Sequence, residues 1–132
     1  MCLALNVYFE ARGDDVLSQV ATAQVVMNRV EDERYPNDVC DVVLQSEKHE
    51  NGFPKKNRCQ FSWYCNGLSD RPTDKKAWEQ SQAVARLVLG GQISDVTGKA
   101  THYHAFWAKP AWRIKKTFTG RIGDHLFFRW EK

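Results

Sequence analysis

The sequence predicts an α+β fold that is predominantly α-helical, with a small antiparallel β-sheet towards the C-terminus. Apolar residues recur in steps of four and three between residues 16 and 30, which indicates an amphipathic helix. A second long helical pattern covers residues 75–89 and ends at a pair of glycines. After residue 100, aromatic and polar residues alternate, as is typical of strands. We expect the 132 residues to form one domain, because no segment has the composition of a linker.

Three helices are predicted in the N-terminal part. The first spans about Leu3–Arg12, and Gly13 suits the left-handed conformation that often ends a helix. Asp14 or Asp15 then caps the second helix, because a short carboxylate accepts hydrogen bonds from free backbone N–H groups. A turn at residues 36–37 leads to a short helix over Val39–Gln45. The stripe of the second helix, expected in the core, is Val16, Val20, Ala23, Met27 and Val30.

The middle of the chain is predicted to be two loops and a long helix. The polar segments Glu47–Arg58 and Gly67–Asp74 both contain glycine and proline, which favour turns over regular structure. The helix Lys75–Leu89 follows the second loop.

The last third is predicted to be β-structure. Ala100–Ala108 reads as a strand that Pro110 ends. Ile114–Phe118 and His125–Trp130 are predicted to pair as a hairpin around residues 119–124.

Charge is distributed unevenly along the chain. The formal net charge is +3, and the residues from Thr97 onward include eight cations but only two acids, Asp124 and Glu131. Such a surface suits an anionic partner such as nucleic acid, a membrane surface or the bacterial wall, although it also fits a surface that merely keeps the protein soluble. No apolar run reaches the roughly 20 residues of a membrane helix, so no stable membrane insertion is expected. No secretory signal is predicted either.

Four cysteines, Cys2, Cys40, Cys59 and Cys65, lack the paired spacing of a structural zinc site. Two disulfides suit an oxidising compartment and four core thiols a reducing one, and we favour disulfides. Three complete pairings are possible, and Cys59 and Cys65 are near enough in sequence to close one loop.

Glu10 is the first candidate for chemistry. It lies between Phe9 and Ala11 near the end of an otherwise apolar helix. Burial beside apolar groups raises the pKa of a carboxyl group, so that it holds a proton near neutral pH and can donate that proton to a leaving oxygen. The alternative is a surface glutamate paired with a distant lysine.

Residues 59–67 and 101–107 supply two further candidates. Gln60 and Ser62 offer polar groups beside the flat faces of Phe61, Trp63 and Tyr64, a mixture that suits a sugar, although the rings could equally form core. In the second segment, His102 and His104 share one face of a strand, and Tyr103 points to the other. With His125 they could form a three-histidine zinc site, or they could make ordinary hydrogen bonds.

Several segments, in this order, resemble the cell-wall hydrolase family that includes the spore-cortex-lytic enzymes, such as SleB. They are LALNVYFEARGDD, QVATAQVVMNRV, YPNDVCDVV, CQFSWYCNG, ATHYHA and IGDHLFF, and together they cover nearly all of the chain. The chain departs from the spore enzymes in its cysteines and in its THYHA segment.

The resemblance implies a lysozyme-like fold and cleavage of the bond between N-acetylmuramic acid and N-acetylglucosamine in peptidoglycan. It places the catalytic acid at Glu10 and places Gly123 near the site or in its support. The residues that it implies for substrate binding, together with their neighbours, are Gln60, Phe61, Ser62, Trp63, Tyr103, His104 and His125.

A second catalytic carboxylate is not evident, because Asp14 and Asp15 read better as helix caps. We therefore expect a lytic transglycosylase that forms 1,6-anhydromuramic ends without a cofactor. Hydrolysis by water assisted by one of these aspartates is the alternative, and a non-catalytic wall-binding module is the alternative from another class. Nucleic-acid binding is not expected, because no recognised binding motif is present. We expect a monomer that acts either as a phage endolysin made in the host cytoplasm or in the bacterial envelope.

Overall fold

A computed structural model describes all residues, 1–132, and contains four α-helices and five strands. Two short 3₁₀ helices lie at Ser62–Cys65 and Ala111–Lys115. None of the helices has the length and apolar character needed to cross a membrane. The helices are α1 (Cys2–Ala11), α2 (Val16–Val30), α3 (Val39–Val43) and α4 (Lys75–Leu89), and the strands are β1 (Ser46–Lys48), β2 (Pro54–Cys59), β3 (His102–Ala105), β4 (Thr117–Ile122) and β5 (His125–Arg129).

Helices α1, α2 and α4 pack around the main core. The Tyr8 hydroxyl of α1 accepts hydrogen bonds from the backbone N–H groups of Thr73 and Asp74, which joins α1 to the start of α4. Of the predicted stripe of α2, Val20 and Ala23 are buried, and Met27 and Val30 are partly buried against the core. Val16 is 52% exposed, because the start of α2 projects it into solvent. The buried members of this core are Leu3, Ala4, Val7, Val20, Ala23, Val26, Val42, Val43, Phe61, Trp63, Val84, Ala85 and Val88.

The junction between α1 and α2 follows the predicted capping pattern. Gly13 adopts a φ of +87°, a conformation that only glycine adopts without strain. Of the two candidate caps, Asp15 occupies the N-cap position, and its side chain accepts a 2.8 Å hydrogen bond from the N–H of Ser18. Asp14 is therefore free to act elsewhere.

The three-stranded sheet has the order β3-β5-β4 and is antiparallel throughout. The predicted hairpin exists, but its first strand is displaced: residues 111–115 form a 3₁₀ helix, and β4 starts at Thr117. The turn is accordingly at Gly123 and Asp124, not across residues 119–124. The first strand begins later than predicted because β4 forms only where its residues pair with β5, from Thr117 opposite Arg129.

Residues 47–58 were predicted to be a loop, and this prediction is wrong in part. β1 and β2 form a two-stranded antiparallel sheet, with Ser46 opposite Cys59 and a register shift between the strands. Most β2 side chains are exposed, so neither strand carries the apolar alternation that marks a strand in sequence.

Two disulfides form, between Cys2 and Cys40 and between Cys59 and Cys65. The first joins the start of α1 to α3, and the second closes the loop that contains Gln60. No cysteine is free.

Candidate active site

Glu10 and Tyr103 form the centre of the candidate site, although they lie 93 residues apart in sequence. Glu10 is on the last turn of α1, and Tyr103 projects from β3. The Tyr103 hydroxyl donates a 2.5 Å hydrogen bond to Glu10 Oε1. Both side chains are half-buried. The carboxyl group is thus held in one orientation and retains access to solvent.

The surroundings of Glu10 make its protonated form accessible. Burial raises the pKa of Glu10, while the Tyr103 hydrogen bond and the positive charge of Arg29 act in the opposite direction, and the pKa remains above its ordinary value. The pKa of Tyr103 is raised well above its ordinary range by burial and by the charge of Glu10. Tyr103 therefore stays protonated and serves as a hydrogen-bond donor.

Arg29 is a site residue that sequence reasoning missed. It is buried on α2, where its Nε donates to the Thr101 carbonyl at 2.7 Å and its guanidinium donates to Gln60 Oε1 at 3.3 Å. The guanidinium also lies over the rings of Tyr35 and Phe61. No carboxylate forms a salt bridge with it, so its charge acts on Glu10 and Tyr103 from within the core. Its burial could have been predicted from the sequence, because Arg29 follows Val26 by three residues and Val25 by four and so lies on the buried side of the helix.

The segment around Gln60 supports α1 and does not present an open row of rings. Phe61 and Trp63 are buried, the Trp63 ring stacks on Phe9, and Trp63 Nε1 donates a 2.8 Å hydrogen bond to Asn6. These rings therefore have little free surface for stacking on a sugar, contrary to the expectation that they would line the cleft. The exposed polar side chains of this segment are those of Gln60 and Ser62.

His125 extends the site along the sheet. Its ring centroid lies 5.2 Å from that of Tyr103, and its Nδ1 lies 3.8 Å from the Asp14 carboxylate. Burial lowers the pKa of His125, and the negative charge of Asp14 acts in the opposite direction. Burial likewise raises the pKa of Asp14, and the charge of His125 opposes that change.

Gly123 positions His125 by allowing the β4–β5 turn to lie against α2. Its φ is +56°, and a Cβ at this position would collide with the hydroxyl of Ser18. The positive φ and the close contact between the turn and the first part of α2 both require glycine at this position.

His104 does not face Glu10. The register pairs His102 with Phe128 and His104 with Leu126, whereas Tyr103 pairs with Phe127 on the opposite face. His104 is buried against the Phe128 and Trp112 rings, so the expectation that it contacts substrate does not fit its position.

The three-histidine zinc site is incompatible with the same register. His125 pairs with Ala105 and therefore shares a face with Tyr103, away from His102 and His104. The protein contains no group of three or more histidine, cysteine, aspartate or glutamate side chains that could hold a metal ion.

Comparison with known proteins agrees with this architecture. The profile of the family described as cell wall hydrolase matches residues 13–128. The match begins three residues after Glu10, so it does not itself cover the candidate acid. The spore cortex-lytic enzyme of Bacillus cereus is 31% identical over 136 residues, and that of Halalkalibacterium halodurans is 29% identical over 126 residues. Each alignment covers 95% of this chain, but only 42% and 33% of the respective relatives.

Solved structures show the same fold. The catalytic domain of the germination-specific lytic transglycosylase SleB from Bacillus anthracis superposes with a TM-score of 0.66 at 27% identity, over 97% of this chain and 91% of that domain. The catalytic domain of the Bacillus cereus SleB protein gives a TM-score of 0.65 at 26% identity, over 96% and 86%. The predicted fold class and the predicted resemblance are both confirmed.

Proposed function

The chain belongs to the cell wall hydrolase family, and on that premise we propose that it is a peptidoglycan glycosidase in which Glu10 is the catalytic acid. The observation that carries the proposal is a half-buried carboxyl group whose pKa is raised and whose orientation is fixed by Tyr103. The likeness to solved catalytic domains, one of them that of a germination-specific lytic transglycosylase, supports the same activity.

Bond cleavage begins with proton transfer from Glu10. The proton goes to the oxygen that links N-acetylmuramic acid to N-acetylglucosamine, and the bond between that oxygen and C1 of the muramic acid breaks. Positive charge then develops on the muramic ring. The Glu10 carboxylate left behind is stabilised by the Tyr103 hydroxyl and by the charge of Arg29.

The second step returns a proton to Glu10. In a two-carboxylate glycosidase another acid lies about 5–10 Å from the first and supplies the nucleophile or activates water. The two aspartates that follow α1 are engaged with other groups, since Asp15 caps α2 and Asp14 faces His125. We therefore infer the transglycosylase route, in which Glu10 takes the proton of the muramic 6-hydroxyl while that oxygen bonds to C1. The intramolecular attack closes a 1,6-anhydro ring at low entropic cost.

Hydrolysis is the second candidate, and one observation favours Asp14 over Asp15 as its helper. The Asp15 carboxylate is engaged as the cap of α2, whereas Asp14 faces His125 beside Tyr103. An Asp14–His125 pair could orient a water molecule towards the muramic C1. The products then carry ordinary reducing ends.

The test is digestion of purified sacculi by the wild type and by Glu10→Gln, with the fragments identified by mass spectrometry. Anhydromuramic ends from the wild type alone support both the transglycosylase route and the role of Glu10. Fragments with ordinary reducing ends would show that the enzyme hydrolyses the bond and does not follow the transglycosylase route. Equal release of fragments by both proteins would reject Glu10 as the catalytic acid. Binding of both proteins to sacculi without any digestion would identify a non-catalytic wall-binding module.

We propose that the chain acts as one monomeric domain on the cell wall, with no nucleic-acid partner. Its two disulfides suit an oxidising location outside the cytoplasm. A phage endolysin released through a breached membrane and an enzyme of the bacterial envelope are the two settings that fit this location.

A further inference from the structure

A second surface of the protein, separate from the candidate site, exposes large apolar side chains. Phe106 is 45%, Trp107 69%, Ile114 81% and Phe118 56% exposed, and all four belong to residues 106–118. We call this set the apolar ridge. Side chains of this size are ordinarily buried, and four within thirteen residues indicate a contact surface.

Phe118 and the 3₁₀ helix that carries Ile114 lie on the face of the three-stranded sheet that is turned away from Glu10. Phe118 pairs with Phe128, so it shares a face with His102 and His104, opposite to Tyr103. The 3₁₀ helix at residues 111–115 lies over this face, because the Trp112 ring packs within 5.6 Å of the rings of both histidines and of Phe128. Since Trp112 points inward, Ile114 points outward from the same short helix.

The residues around the ridge are cationic. Between Phe106 and Gly123 the chain contains five cations and no acid. Four of them form no ion pair within the protein, and the guanidinium of the fifth, Arg121, lies over the Phe106 ring at 4.7 Å and pairs with Asp124 at 3.7 Å. The four unpaired cations are Lys109, Arg113, Lys115 and Lys116.

We propose that residues 106–121 are a peripheral docking surface for an anionic lipid bilayer. Exposed aliphatic and aromatic side chains enter the boundary between headgroups and acyl chains, and the flanking lysine and arginine side chains pair with anionic headgroups. The three aromatic members of the ridge could also stack on a sugar or a base, but its most exposed member, Ile114, is aliphatic and suits acyl chains better than a stacking partner.

The position of this surface has a consequence for the enzyme. Because Phe118 and the helix that carries Ile114 lie on the opposite face of the sheet from Tyr103, the protein could rest on a membrane while its catalytic side faces the wall. Docking through a few exposed side chains and paired charges is reversible. This inference does not depend on the proposed glycosidase activity.

The test is co-sedimentation of the full chain with vesicles of phosphatidylcholine alone or with 30% phosphatidylglycerol. We expect binding only to the anionic vesicles and weakening by added salt. Ile114→Ser and Lys115→Gln should each lower the affinity about fivefold, the equivalent of roughly 1 kcal/mol for a membrane-facing cation. The matched controls are Leu68→Ser, at an equally exposed apolar residue, and Lys76→Gln, at an exposed lysine of α4.

Each outcome decides for or against the docking surface. Loss of vesicle binding in the ridge variants alone, with undiminished digestion of sacculi, supports it. Equal binding to neutral vesicles, no binding to anionic ones, or an equal effect of the control variants rejects it. Reduced binding of Ile114→Ser to purified sacculi, with vesicle binding unchanged, also rejects it and identifies a wall polymer as the occupant.

Discussion

Replacement of Tyr103 by phenylalanine isolates the effect of one hydroxyl group on the proposed acid. That hydroxyl donates the 2.5 Å hydrogen bond to Glu10 and stabilises the carboxylate form. A hydrogen bond to a charged group is worth about 1.5–3 kcal/mol. One pKa unit corresponds to about 1.36 kcal/mol, so loss of this hydrogen bond should raise the pKa of Glu10 in the variant.

The sign of the kinetic effect follows from the role of Glu10. An acid catalyst must carry its proton, so activity falls as the pH rises through its pKa. A higher pKa in Tyr103→Phe therefore moves the alkaline limb of the kcat/KM profile to higher pH. Activity at the optimum should also fall, because the carboxyl group loses its orientation and its anion loses a donor.

The assay is the initial rate of fragment release from sacculi between pH 4 and pH 9, with Tyr64→Phe as the matched control. Tyr64 is a half-buried tyrosine whose hydroxyl makes no hydrogen bond to Glu10. Its profile should match the wild type. An alkaline limb that stays in place or moves downward in Tyr103→Phe would refute the reasoning, because the hydrogen bond would then not act on the catalytic proton.

Two further predictions concern stability. Gly123→Ala should lower the free energy of unfolding by about 1–3 kcal/mol, because it adds both an unfavourable φ and a collision with Ser18. Gly91→Ala, with a φ of +70° and open space around it, should cost less, and equal losses in chemical denaturation would contradict the role of the collision. Replacing both cysteines of the Cys2–Cys40 pair by serine should cost about 4 kcal/mol, against about 2 kcal/mol for Cys59–Cys65, because the longer loop restricts the unfolded chain more. Urea unfolding of the two double variants measures the order, and a larger loss for the shorter loop would reverse the argument.

The sequence by itself determined the four helices and most of their ends, although α3, predicted to reach Gln45, ends at Val43. Periodicity and capping are local: the stripe of α2, the positive φ of Gly13 and the Asp15 cap of α2 all depend on residues within a few positions of one another. The same locality placed Glu10 at the end of an apolar helix and put His102 and His104 on one face of a strand.

Only the tertiary structure decided which distant groups meet. The hydrogen bond between Glu10 and Tyr103 joins residues 93 positions apart, and Arg29 bonds to Thr101 and Gln60 across 72 and 31 positions. The pairing of the cysteines, the start of β4 and the inward position of Trp63 were likewise decided by packing. The physical reason is that strand register and side-chain burial depend on the partner surface, which a local pattern of residues does not contain.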